Sequence, residues 1–164
     1  MNTHKRQEGF SLIELLIVVA IIGIIAAIAI PNLLASRRAA NEGSAQSSLR
    51  TIHSAEATYQ ATTGNGAYGT LAQLSTASLV DPVLAGGTKS GYNFTIPAAD
   101  LVAPSAGTLA QFMAQADPQV DSGVSQSGTR HFCIAEVGVL RGEAGVTAVA
   151  DRAACDAINA LGNQ

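Results

Sequence analysis

The chain has 164 residues and a formal net charge of −3 at neutral pH, which is enough length for one modest domain and a membrane anchor. Because the net charge is small and the basic residues are scattered, the composition argues against a dedicated nucleic-acid surface. The two cysteines, Cys133 and Cys155, are typical of an oxidising compartment.

The first thirty residues combine a short basic leader with a long apolar run. Residues 1–9 read MNTHKRQEG, and residues 10–30 contain one strongly polar side chain, that of Glu14. A helix of this apolar length spans roughly 32 Å, close to the hydrocarbon thickness of a bilayer. A secretory signal peptide has a shorter apolar core before its cleavage site. The run therefore predicts a transmembrane segment over residues 10–32.

The charges around this segment predict its orientation. Lys5 and Arg6 precede the span, and the positive-inside rule then places the N-terminus in the cytoplasm. Arg37 and Arg38 follow the span and act weakly in the opposite direction. We therefore expect residues 33–164 to lie outside the inner membrane, as half of a long helix and a globular head.

The junction between leader and span reads Gly-Phe-Ser-Leu-Ile-Glu, from Gly9 to Glu14. Glycine presents little side chain, so a peptidase can approach the backbone closely there. A carboxylate within a membrane span is costly and normally has a partner. The basic leader, the Gly-Phe pair, the glutamate and the uninterrupted span together resemble the prepilin signal of type IV pilins and of the pseudopilins of type II secretion.

The resemblance implies a processing and assembly pathway for this N-terminus. A prepilin peptidase would cut between Gly9 and Phe10 and methylate the new amino group of Phe10. Glu14 would then face the amine of a neighbouring subunit and neutralise it as the helices bundle. The alternative is that Glu14 extends to the membrane interface, as in ordinary anchors. The implied partners are the peptidase, the inner-membrane pilus assembly platform, the membrane before assembly, and further copies of the chain in a helical homopolymer.

Two residues weaken the apolar helix. Pro31 removes a backbone hydrogen bond, and Gly23 lowers helix propensity. The resemblance implies that the stretch from Gly23 to Pro31 loses helicity in assembled filaments. The alternative is a kinked helix that stays hydrogen-bonded.

Beyond Pro31 the pattern becomes amphipathic. Five residues recur at three- and four-residue spacing, namely Ala45, Leu49, Ile52, Glu56 and Tyr59, and they predict a stripe that faces a sheet. Gly64-Asn65-Gly66 is a stop signal. We therefore expect one helix over about residues 10–62.

The rest of the chain predicts a small antiparallel sheet. A short helix is expected around residues 71–79, and Asp81-Pro82 and Gly86-Gly87 end it. Alternating apolar residues predict four strands, at 92–96, 109–116, 130–135 and 137–141, the last two as a hairpin. Apolar residues at helical spacing over 154–161 predict a C-terminal helix that ends at Gly162. The fold class is α+β, and the resemblance implies a pilin fold.

The remaining residues suggest a disulfide and little further chemistry. A Cys133–Cys155 disulfide would link the last helix to the sheet and contribute roughly 3 kcal/mol, as in many type IV pilins; the alternative is two buried thiols. Residues 86–91, GGTKSG, lack the glycine that a phosphate loop needs before its lysine and indicate a turn. Asp117 and Asp121 suit loop solvation better than a calcium site. We expect no cofactor, no metal and no catalytic group.

These observations favour a non-enzymatic structural subunit of a type IV pilus, made in the inner membrane and displayed as an extracellular filament. Adhesion, motility or DNA uptake would then be the filament's task. One alternative is a pseudopilin, which shares the N-terminus and forms a short periplasmic piston. Another is a minor pilin whose head acts as a binding module at a filament tip.

Overall fold

The structure is a computed structural model that describes residues 10–145 and 148–161. The chain divides into two compact units, one ending at Ser36 and one beginning at Arg37. The leader, residues 1–9, and Gly162 lie outside the described residues.

Helix α1 spans Leu12–Ala61, two residues later at its start and one earlier at its end than predicted. It begins at Leu12 because the Ser11 carbonyl accepts the first helical hydrogen bond, from the Leu15 N–H at 3.2 Å. Pro31 lies inside the helix. In the first unit the large apolar side chains of α1 are exposed along its length.

In the second unit, α1 buries the predicted stripe. Ala45, Leu49, Ile52 and Glu56 are fully buried, and Tyr59 packs against the same core. The helix ends as expected because Asn65 and Gly66 adopt positive φ angles of 49° and 88°. This prediction of a stripe followed by a stop is confirmed.

Two short helices connect α1 to the sheet. Helix α2 spans Leu71–Thr76, and helix α3 spans Pro82–Ala85. Thr70 forms a capping box with Gln73 at the start of α2, and the Asp81 carboxylate accepts from the Leu84 N–H at 2.8 Å at the start of α3. The sequence predicted one helix here, and the cap at Asp81 starts a second.

Over the residues that the structure describes, the antiparallel sheet has five strands in sequential order, one more than predicted. They are β1 (Thr88–Lys89), β2 (Tyr92–Thr95), β3 (Met113–Pro118), β4 (Arg130–Ala135) and β5 (Leu140–Ala144). The additional strand is β1, in the segment interpreted as a turn. Ser90 and Gly91 take positive φ angles of 50° and 74°, which makes a two-residue turn that pairs Lys89 with Tyr92.

Alternate residues of the strands face two different cores. Phe94, Phe132 and Ile134 belong to the larger core that includes Leu49 and Ile52 of α1. On the other face, a smaller core contains Met113, Cys133, Val149 and Cys155. The sheet is therefore covered on both faces, which is why β4 is buried over nearly its whole length.

The C-terminal helix α4 spans Arg152–Ala157, so the prediction that it continues to residue 161 is wrong. Ile158 has an extended backbone, and the Leu161 N–H donates to the Leu140 carbonyl at 3.0 Å. The chain after α4 thus runs along β5. Leu161 is apolar because it packs against the larger core, not because it continues the helix.

Candidate assembly site

The N-terminal part of α1 is an apolar surface with one acid near its start. An 18-residue stretch of α1 is strongly apolar and contains no buried residue. Within the described ranges, α1 is the helix that is long and apolar enough to cross a membrane. Phe10 is 84% exposed, and Glu14 lies in the first turn of α1. Such a surface requires lipid or other protein to cover it.

The predicted processing and assembly residues are placed only in part. Gly9 lies outside the described residues, while Phe10 precedes α1 and Glu14 lies on it. The backbone N–H of Glu14 donates to the Ser11 carbonyl at 3.1 Å. Cleavage, methylation and the pairing of Glu14 with another subunit stay predictions.

Gly23 and Pro31 both lie within continuous α-helix in the single chain. A side chain at Gly23 would meet nothing within 4 Å, so no close contact explains the glycine. The Asn32 side chain donates to the Ile28 carbonyl at 3.1 Å. The loss of helicity upon assembly concerns the filament and stays a prediction.

The predicted disulfide is confirmed. The Sγ atoms of Cys133 and Cys155 are 1.99 Å apart, with 6.0 Å between the Cα atoms. Both cysteines are fully buried. The bond joins the middle of β4 to α4 within the smaller core.

Polar contacts also hold α4. Arg152 forms a bidentate ion pair with Glu136. Its Nε atom donates to Glu136 Oε2 at 3.0 Å, and its Nη2 atom donates to Oε1. Burial disfavours the charged form of Glu136, but the hydrogen bonds and charge of Arg152 outweigh burial and hold its pKa below the usual value. The Arg152 N–H donates to Asp100 at 3.1 Å, and Arg141 donates to the Ile158 carbonyl at 2.7 Å.

Glu56 is a buried acid whose role the sequence analysis missed. Its Oε2 accepts from the Gly69 N–H at 2.9 Å, while Oε1 has no partner among the described residues. Burial raises the pKa of Glu56 to about 7, against the opposing effect of the Gly69 hydrogen bond. The sequence did indicate the burial of this acid, because Glu56 occupies a position of the apolar stripe between Ile52 and Tyr59.

The buried His131 and the partly buried Asp117 form a polar pair that was not predicted. The His131 Nδ1 atom lies 2.7 Å from an Asp117 carboxylate oxygen. Asp117 lies in β3, so it belongs to the sheet and not to the loop in which it was grouped with Asp121. The sequence could have indicated this pair through the alternation of residues along two neighbouring strands. Residues directly opposite each other on antiparallel strands have adjacent side chains.

The other candidates have structural roles. Lys89 pairs with Asp81 at 3.2 Å, in the hairpin formed by GGTKSG. His53 Nε2 lies 3.3 Å from the Glu136 carbonyl, and its ring packs near Phe112. Over residues 10–145 and 148–161, no group of three or more His, Cys, Asp or Glu side chains is arranged to hold a metal ion.

The sequence is similar to those of type IV pilins and of a type II secretion protein. Residues 4–30 match the family described as the prokaryotic N-terminal methylation motif. The chain is 46% identical over 56 residues to the type IV major pilin protein PilA of Myxococcus xanthus, covering 34% of this chain and 26% of that one. It is 63% identical over 38 residues to the type IV wide pilus major component PilA4 of Thermus thermophilus, covering 23% and 29%.

A third relative extends the similarity into the head. The type II secretion system core protein G of Escherichia coli is 31% identical over 104 residues, covering 60% of this chain and 69% of that one. The similarity thus spans about a quarter of each of the two pilins but more than two thirds of core protein G. No solved structure matches the chain significantly.

Proposed function

Since the chain belongs to the family of type IV pilins and type II secretion pseudopilins, we propose that it is the structural subunit of a type IV pilus. The observation that carries the proposal is the exposed apolar surface of α1, which lies largely within the residues that match the methylation motif. Outside the bilayer, each large apolar side chain left in water would cost about 1.5–3 kcal/mol relative to a packed interface. Many such side chains line α1, and bundling of α1 helices from many copies buries them.

The proposed pathway begins in the inner membrane with the leader in the cytoplasm and the head outside. Prepilin peptidase cuts between Gly9 and Phe10 and methylates Phe10. Glu14 then pairs with the amine of Phe10 in a neighbouring subunit, which sets the register of the bundle because an unpaired carboxylate is costly away from water. The assembly platform in the inner membrane adds subunits, and the filament extends to the cell surface.

Two variants test the pathway at separate steps. Gly9→Ala is expected to leave an uncut precursor, and Glu14→Ala a cut and methylated subunit that does not assemble. Mass spectrometry of the N-terminus reports the cut, and electron microscopy of sheared cell-surface material reports filaments. Glu8→Ala is the matched control, because it removes a carboxylate from the leader that is discarded. Normal filaments from both Gly9→Ala and Glu14→Ala would contradict the proposal.

The second candidate is a pseudopilin, and the similarity to core protein G through much of the head favours it. A pseudopilin shares the cut and the Glu14 pairing but forms a short periplasmic assembly. Long surface filaments that contain this chain support the pilus. Absence of such filaments, together with loss of protein secretion when the chain is deleted, supports the pseudopilin.

A further inference from the structure

The chain between α1 and α2 is attached to α1 through the carboxylate of Glu56. We call residues 64–69 the connection. Glu56 is fully buried on α1, and its Oε2 accepts from the N–H of Gly69, the last residue of the connection, at 2.9 Å. Gly69 is buried as well and directly precedes Thr70, the N-cap of α2. One buried hydrogen bond therefore joins the end of the connection to α1.

The connection packs closely on α1 around this hydrogen bond. A Cβ atom at Gly69 would lie 2.9 Å from the ring of Tyr59, and a Cβ atom at Gly64 would lie as close to the same ring. The ring of Tyr68 contacts that of Phe112, with 4.6 Å between the centroids. Because the backbone of the connection covers α1 without a gap, the Glu56 carboxylate meets water only when the covering residues move.

The charged form of Glu56 has little to stabilise it. Its carboxylate forms no ion pair with any described residue, and its Oε1 is buried without a hydrogen-bond partner there. The charges of Glu56 and Glu136 both act on the phenol of Tyr68. His53, one turn earlier on α1, has its Nε2 at 3.3 Å from the Glu136 carbonyl. None of these groups pairs with Glu56, and a buried carboxylate without a counter-ion is strongly disfavoured.

We propose that the connection is a pH-sensitive switch, which stays closed on α1 while Glu56 is protonated and opens at Gly69 when Glu56 ionises. Opening breaks one buried hydrogen bond and the contact between Tyr68 and Phe112, whereas unfolding the head breaks the whole core, so local opening costs less free energy. The glycines of the connection give its backbone the freedom to move. The switch lies in the head and is independent of whether the chain forms a pilus or a pseudopilus.

The switch responds between mildly acidic and neutral pH. The Glu56 carboxyl has its ordinary pKa of 4.5 in water, and burial in the closed form raises the pKa to about 7. Between these values opening releases a proton. The ratio of open to closed chains therefore rises about tenfold per pH unit in this range and levels off above it.

Hydrogen exchange of the Gly69 amide, followed by NMR on the full chain in detergent micelles, tests the switch. After correction for the intrinsic exchange rate at each pH, the protection of Gly69 is expected to fall about tenfold per unit from pH 5 to pH 7. Glu56→Gln keeps an oxygen that accepts from Gly69 but does not ionise, so its Gly69 protection is expected to be equal at both pH values. Asp121→Asn is the matched control and is expected to retain the wild-type dependence.

Three outcomes of this experiment would overturn the proposal. The first is a wild-type Gly69 protection that does not change with pH, and the second is an unchanged pH dependence in Glu56→Gln. The third is exchange of Gly69 at the same corrected rate as Phe132 in the centre of the sheet, because Gly69 would then exchange only when the whole head unfolds.

A second variant tests the closed form without changing the acid. Gly69→Ala places a methyl group against the Tyr59 ring, so the connection is expected to be open already at pH 5, with the amide of residue 69 unprotected and that of Phe132 still protected. Gly43→Ala is the matched control, because a Cβ atom at Gly43 meets nothing within 4 Å. Wild-type protection at residue 69 in the Gly69→Ala variant would contradict the close packing on which the switch depends.

Discussion

At the scale of single residues, two glutamates of the head respond to burial in opposite ways. Glu136 is paired with Arg152, so its pKa lies below the usual value despite burial. Glu56 has one backbone N–H as partner and is fully buried, so its pKa rises to about 7. Burial disfavours the charge in both cases, and the presence of a cation determines which form is stable.

The raised pKa of Glu56 predicts a pH-dependent stability. In the unfolded chain the carboxyl has its ordinary pKa of 4.5, and in the folded head about 7. Between these values unfolding releases a proton, so the free energy of unfolding falls as the pH rises from about 4.5 to 7 and stays lower above pH 7. The full effect is about 3 kcal/mol.

Glu56→Gln removes this titration and is expected to make the head more stable than the wild type at pH 8, with a smaller difference at pH 5. Urea unfolding of the full chain in detergent at both pH values measures these differences in the free energy of unfolding. Asp121→Asn, a matched change in a loop, is expected to leave the pH dependence as it is. An identical pH dependence in the Glu56→Gln variant and the wild type would show that Glu56 does not titrate in this range.

At the scale of elements, α4 depends on its attachments. It has six residues, too few for a helix to be stable alone in water. The disulfide fixes Cys155 to β4, and Arg152 binds Glu136 and Asp100 from the first residue of the helix. Covalent and polar contacts together hold α4 over the smaller core.

Removing the disulfide tests how much the covalent bond and the polar contacts of α4 each contribute to the stability of the head. The cysteines are 22 residues apart, and closing a loop of that length stabilises the folded state by about 3 kcal/mol. The double variant Cys133→Ala/Cys155→Ala is expected to lose about that much unfolding free energy in urea. Arg152→Ala with the disulfide intact is expected to lose less, because its ion pairs are partly exposed to water. The reverse order would mean that the polar contacts dominate.

At the scale of the whole molecule, the first unit has an exposed apolar helix and the second a closed core. The helix is continuous through Pro31 in the single chain, although a proline cannot donate the helical hydrogen bond to the carbonyl four residues earlier. In lipid an unwound backbone would leave further polar groups unpaired. The membrane therefore favours a helical backbone between Gly23 and Pro31. This need to pair every backbone polar group within the helix changes when other subunits replace the lipid around α1.

We expect the backbone between Gly23 and Pro31 to lose helicity in assembled filaments. A helical reconstruction by electron cryomicroscopy, at a resolution that traces the backbone, measures this directly. In the double variant Gly23→Ala/Pro31→Ala the same stretch is expected to stay helical, since alanine favours helix by about 1 kcal/mol over glycine and about 3 kcal/mol over proline. A continuous helix in wild-type filaments would contradict the prediction and support the kinked-helix alternative.

Features that depend on neighbouring residues were predictable from the sequence. The methylation motif at residues 4–30, the long helix ending before Gly64 and the strand Arg130–Ala135 all follow from local composition and periodicity. The disulfide was also predicted, from the oxidising compartment that two cysteines indicate and from the resemblance to pilins that close a comparable loop.

Only the tertiary structure determined how distant segments meet. Strand β1 is two residues long and exists because it pairs with β2, so no periodicity could indicate it. The chain leaves α4 after Ala157 because β5 offers a partner for Leu161. The burial of Glu56 and the pairing of His131 with Asp117 likewise arise from packing. The physical reason is that propensity acts within a few residues, whereas register and burial depend on contacts between residues far apart in the chain.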